Sequence, residues 1–183
     1  MSSPNAYEQL VRDLALECAL PASIGLALVA VESGFEPYAW NPEPRYNYLW
    51  DVKNNRPFRR LTAAELASKL PPKDFPAPAG VDPDAEYWGQ QASWGLGQLM
   101  GANARALGYK GKFLTGLVDP AVGLRLAFRH LYSIRTHFLV SAGWQGVVAA
   151  YNAGSPRKTS DGTWENQEYV DKIAAAMGGT WPS

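Results

Sequence analysis

Apolar positions in the first part of the chain fall at helical intervals. Leu10, Val11, Leu14 and Cys18 form a helical stripe, which predicts a helix over Asn5–Ala19. Pro21 suits the first turn of a second helix, and Gly34 followed by Pro37 ends it. Within that helix Ile24–Val31 carries no charge and is apolar on every face, so it is expected to be buried. Over Phe35–Arg60 the periodicity disappears. Trp40, Tyr46, Tyr48 and Trp50 stand among prolines and asparagines, which predicts loops with a short hairpin. Thr62 and Glu65 form a capping-box pattern opening a short helix to Leu70. Pro71–Pro83 holds five prolines with few apolar residues between them, and reads as an ordered surface loop.

Trp94–Leu107 predicts a helix or helix pair ended by Gly108. Asp119-Pro120 then starts the longest helix, whose Val122, Leu126 and Leu131 sample successive turns to about Phe138. Gly143 precedes a helix through Val147, Val148 and Tyr151, stopped by Gly154. A last helix spans Glu165–Met177, with Gly178-Gly179 as its stop. Helices dominate, strands are few and no repeat appears. The expectation is one mainly α domain spanning residues 1–183.

Composition narrows the classes. Apolar residues make up 46% and charged ones 19%, which is ordinary for a folded globular chain. The formal net charge is +0 and no Lys/Arg run forms a basic patch, so no nucleic-acid partner is expected. Leu14–Val31 contains Glu17 and is broken by Pro21, and Glu8, Arg12 and Asp13 precede it rather than a basic cap. It reads as two helices, so neither membrane insertion nor a cleavable signal peptide is expected. The single cysteine, Cys18, excludes an internal disulfide and is expected to be a buried structural thiol. His130 and His137 read as structural or surface groups, and no metal or cofactor is expected.

Glu32 is the residue that stands out, because it closes the charge-free run. Burial disfavours an ionised carboxyl, and the negative end of a helix dipole disfavours it further. Both push its pKa upward, as a general acid working near neutral pH requires. Taken alone, such a Glu more often points into water. Two further motifs change the balance. Gly95-Leu96-Gly97-Gln98 joins close-approach glycines to an amide able to hydrogen-bond a sugar. Ala150-Tyr151-Asn152-Ala153-Gly154 ends an apolar helix with a phenol and an amide, and a buried Tyr hydroxyl needs a partner such as the Glu32 carboxyl.

Taken in order, Glu32-Ser33-Gly34-Phe35-Glu36-Pro37, Gly95-Leu96-Gly97-Gln98 and Ala150–Gly154 resemble the signature of soluble lytic transglycosylases. These share a lysozyme-like fold with goose-type lysozymes. Glu168-Tyr169-Val170 with Ile173 is similar to the family's last motif, in which a Tyr lies near the catalytic Glu. The resemblance covers roughly Ala19–Met177. It implies a mainly α, lysozyme-like fold and a monomer acting on peptidoglycan glycan strands at the bacterial cell wall. Glu32 would be the catalytic residue, acid and then base. Ser33, Gln98, Tyr151, Asn152 and Tyr169 would bind the sugar or orient Glu32. Gly97 departs from the family's usual Met. About sixty residues separate Glu32 from Gly95, so residues 41–91 form an insertion, expected as a loop-rich lobe with substrate contacts. That longer spacing is similar to some phage-encoded members, for which delivery by phage lysis or in the virion, or as part of a larger protein, is expected.

Other readings remain at this level. A hydrolytic muramidase on the same fold would need a second carboxylate, for which Glu36, Asp82, Asp84 and Glu86 are candidates. A wall-binding or virion-structural module would keep the groove without the chemistry.

Overall fold

The computed structural model describes residues 6–68 and 70–182; Asn5, where the first helix was expected to begin, lies outside them. The chain is mainly α. It groups into two compact units, the described residues up to Phe35 together with those from Ala127 onward (unit 1), and Glu36–Leu126 (unit 2).

Unit 1 is helical. Helix α1 (Glu8–Glu17) buries Val11, Leu14 and Ala15, and α2 (Ala22–Ser33) packs on it. A Cβ on Gly25 of α2 would already stand 3.0 Å from the Phe128 ring and 3.3 Å from Ala15, so glycine sets the helix spacing here. Cys18 is half-buried at the α1 C-cap, not in the core, because the chain turns there and exposes Ala19. Helix α6 (Pro120–Ala153) begins in unit 2, capped by Asp119, whose carboxylate accepts from the Ala121 and Val122 amides, both at 3.0 Å, and belongs to unit 1 from Ala127 on. It breaks at Gly143 (φ 62, ψ −176), where the sequence placed the start of a separate helix. Helix α7 (Gln167–Ala176) packs on α2 through Val170 and Ile173. No helix among the described residues is long and apolar enough to cross a membrane.

Unit 2 holds all the named strands. β1 (Trp40–Pro42), β4 (Ala92–Trp94) and β5 (Leu99–Met100) form an antiparallel sheet in the order β1-β4-β5, with Trp40 opposite Trp94 and Ser93 opposite Met100. The expected hairpin is β2 (Trp50–Asp51) with β3 (Arg56–Pro57). The short helix α3 (Ala63–Ala67) opens with the full Thr62/Glu65 capping box but ends before Leu70.

The stretch from Trp94 departs from expectation. It is not helical until α5 (Gly101–Ala106), because β4 and β5 are joined by a tight turn. Gly95 sits at φ +68 and Gln98 at φ +46, and the Gln98 amide donates to the Gly95 carbonyl at 3.1 Å. Left-handed backbone at both ends of the motif is incompatible with a helix. Further on, a 3₁₀ helix (Leu114–Val118) leads to Asp119.

The insertion is loop-rich, as expected, and is also ordered around its own side chains. It includes α4 (Pro83–Gln90), capped by Asp82, and a core of its own. Leu49, Leu61, Phe75, Tyr87 and Ala102 are buried together, with Tyr46, Phe58, Leu66 and Trp88 packed against them. Phe58, Phe75, Tyr87 and Trp88 stack edge to face with centroids 5.2–5.4 Å apart. Gln90 fastens the hairpin to α4, accepting from the Trp50 amide (2.7 Å) and donating to the Trp50 carbonyl (3.0 Å). Thus Tyr87 and Trp88 serve packing, whereas Trp40 and Tyr48 remain exposed.

Candidate active site

Glu32 lies in the last turn of α2, which Gly34 terminates in the left-handed conformation (φ 59) while donating to the Ala30 carbonyl. The helix buries Ile24, Ala27, Leu28 and Val29, which carries the carboxyl to the edge of the core. There Tyr169 of α7 donates its hydroxyl to Glu32 Oε1 at 2.5 Å, the length of a charge-assisted O–H···O bond. Desolvation pushes the Glu32 carboxyl from its ordinary 4.5 up to about 7, and the Tyr169 hydrogen bond pulls the other way. The charge of Glu32 in turn adds to burial in driving both Tyr169 and Tyr151 well above their ordinary range, so both phenols stay protonated. Tyr151 thus lies within the electrostatic reach of Glu32, and its ring packs against His130 with centroids 5.8 Å apart.

The other expected residues have local bonds. Ser33 Oγ donates to the Val29 carbonyl at 3.2 Å, one turn back. Asn152 Oδ1 accepts from Asn166 Nδ2 (2.9 Å), which also donates to the Ala149 carbonyl, so this pair ties the end of α6 to the start of α7. In unit 2, Gln98 fixes its own turn: Nε2 donates to the Ala39 (3.2 Å) and Gly95 (2.9 Å) carbonyls, and Oε1 accepts from Ser93 (2.9 Å). Unit 1 therefore brings Glu32 and Tyr169 into contact with Tyr151 nearby, and Gln98 belongs to the other unit.

Of the candidate second carboxylates, Glu86 is buried in a bidentate pair with Arg105 (2.8 and 2.7 Å) and also accepts from Gln90. Asp82 caps α4, and Glu36 accepts from the Tyr38 amide on the surface. The buried pair escaped sequence reasoning, since nineteen residues separate its partners and no local pattern joins them. His130 against Tyr151 was likewise invisible, because contact across the Gly143 break has no periodicity. Among the described residues no three His, Cys, Asp or Glu side chains gather where they would hold a metal ion.

A carboxyl at the end of a largely buried helix, accepting from a Tyr of the last helix, is what unit 1 assembles. The Transglycosylase SLT domain family matches residues 9–175, and the chain belongs to that family. Its fold is accordingly lysozyme-like, and the family's activity is lytic transglycosylation of peptidoglycan in the cell wall. No curated protein and no solved structure matches the chain.

Proposed function

We propose that the protein is a peptidoglycan lytic transglycosylase cleaving the β-1,4 bond between N-acetylmuramic acid and N-acetylglucosamine, with Glu32 as its acid and then its base. The observation that supports this most is a carboxyl raised to about 7 and held by Tyr169 at 2.5 Å. Near neutral pH such a group is populated in both protonation states, which is what successive proton donation and removal require.

Protonated Glu32 gives its proton to the glycosidic oxygen as the bond from that oxygen to C1 of muramic acid breaks. The sugar's own acetamido group stabilises the cation. Glu32, now a carboxylate, takes the proton of the C6 hydroxyl, whose oxygen closes onto C1. The product is a 1,6-anhydro end, water is not consumed, and Glu32 ends protonated as it began. Tyr169 orients the carboxyl and supports its ionised form between the steps. Tyr151 lines the same edge. Ser33, Asn152 and, in unit 2, Gln98 are proposed sugar contacts on the family resemblance, Gln98 exchanging a turn bond to do so. Delivery as a phage lysis or virion protein belongs to the same proposal, on the long spacing between the first motifs.

Mass spectrometry of fragments released from purified sacculi tests the chemistry. Anhydro ends are expected, and Glu32→Gln is expected to lose about 10²- to 10⁴-fold in rate while still binding the wall. Fragments carrying an added water would instead identify a muramidase. Binding without any release would identify a wall-binding module.

A further inference from the structure

Unit 2 contains a cavity of about 610 Å³ that the lytic chemistry leaves unused. Trp50, Lys53 and Asn55 of the β2–β3 hairpin form one part of its wall, Phe75 another, and Tyr109 and Lys110 after α5 a third. The wall includes the cations Lys53, Lys110 and Arg105 and no Asp or Glu. The Arg105 charge is matched by Glu86. Lys53 and Lys110 are exposed and have no carboxylate partner among the described residues, and the Asn55 amide and the Trp50 indole N–H are also unengaged there.

Both cation-bearing segments are held by a buried side chain. Asp51 accepts from the backbone amides of Lys53 and Asn54, both at 3.1 Å, and from the Asn54 side chain at 2.7 Å. Arg105 donates to the carbonyls of Tyr109 (3.0 Å), Gly111 (2.8 Å) and Lys112 (3.4 Å). The lysines therefore stand on positioned backbone, and buried Phe75 and half-buried Trp50 line the same cavity. Such a wall offers donors and positive charge with apolar surface, and no anionic acceptor for sugar hydroxyls. It complements a short chain bearing carboxylates and small aliphatic groups.

We propose that this cavity is an accessory subsite for the carboxylate-bearing peptide stem of peptidoglycan. The proposal rests on the transglycosylase reading for the polymer it meets. Titration calorimetry on the intact protein tests it with three probes: the synthetic stem peptide N-acetyl-L-Ala-γ-D-Glu, the same peptide with its carboxyls amidated, and a glycerol phosphate oligomer. The free-acid peptide is expected to bind, with the amidated form and the Lys53→Ala/Lys110→Ala protein each about tenfold weaker, the loss expected for charge-assisted contacts. Lys53→Arg/Lys110→Arg should retain binding. No binding of the free-acid peptide, unchanged binding in the alanine variant, or tighter binding of the phosphate oligomer would overturn the subsite. In lysis assays the alanine variant should raise KM on peptide-bearing sacculi and leave peptide-free glycan unaffected. Stem binding without anhydro products leaves the subsite standing and removes the catalytic reading; anhydro products without stem binding do the reverse.

Discussion

Glu32 sits where its charge is costly, and that cost has a sign in pH. Its folded pKa, about 7, lies above its ordinary 4.5, so the folded protein binds more protons than the unfolded chain between those values. The stability associated with this proton is complete below pH 4.5 and is lost as pH rises through 7. Glu32→Gln keeps a hydrogen-bond acceptor for Tyr169 and removes the buried charge. Thermal melts should therefore show the variant more stable than the parent above pH 7, by on the order of 2–3 kcal/mol, the gap closing towards pH 4.5. Tyr169→Phe acts on the same group with opposite logic. The phenol favours the carboxylate, so its loss should move the alkaline limb of the lysis rate to higher pH. It should also lower kcat roughly 10- to 100-fold through misplacement of the acid. A limb that moved to lower pH would contradict a donor role for Tyr169. The raised carboxyl was legible from sequence once the two later motifs were set beside the uncharged helix, because a Glu ending such a helix can otherwise point into water. The resemblance put Tyr169 near Glu32, but the residues alone left Tyr151 an equally suitable partner until α7 packed on α2.

Among the elements, two glycines do different work, and substitution separates them. Gly34 ends α2 at φ 59, and a Cβ there would meet nothing within 4 Å. Gly34→Ala should cost only the left-handed backbone, about 1 kcal/mol. Gly95 combines φ +68 with an approach that would put a Cβ 2.7 Å from the Leu117 carbonyl oxygen. Gly95→Ala adds a steric clash with backbone and should cost about 2–3 kcal/mol in urea unfolding. Equal costs would mean that the β4–β5 turn tolerates displacement from the 3₁₀ helix. Most helices were visible in the apolar spacing, and Thr62 and Asp119 marked starts through their capping chemistry. The β4–β5 hairpin was hidden because its strands are too short to show alternation. Gly-Leu-Gly-Gln also reads as readily as a helix entrance as a turn. Helix α4 was obscured by the prolines before it, although Pro83 at its first turn is where a helix accepts proline.

For the molecule, the consequential burial is an ion pair within unit 2. The Glu86–Arg105 pair is 1% and 4% exposed, and every donor direction of the guanidinium is used, on Glu86 or on the carbonyls of residues 109–112. Removing one partner strands a buried charge, so Arg105→Ala should destabilise the protein by about 3–5 kcal/mol. Hydrogen exchange should rise first in the segment 109–112, whose carbonyls lose their donors. Lys is a poor replacement, because one ammonium cannot reproduce the planar fork. Family and helical class were determined by the sequence alone, which also singled out Glu32 as the candidate acid. Helical periodicity, caps and an ordered set of short motifs are properties of neighbouring residues, and survive without knowledge of what packs on what. Tertiary structure alone decided that residues 41–91 fold around their own aromatic core, that Glu86 belongs to Arg105, and that Lys53 and Lys110 share a cavity. Each of these depends on side chains far apart in sequence meeting under one packing solution. Hydrophobic spacing along a chain says which face is buried, but carries no information about the partner that buries it.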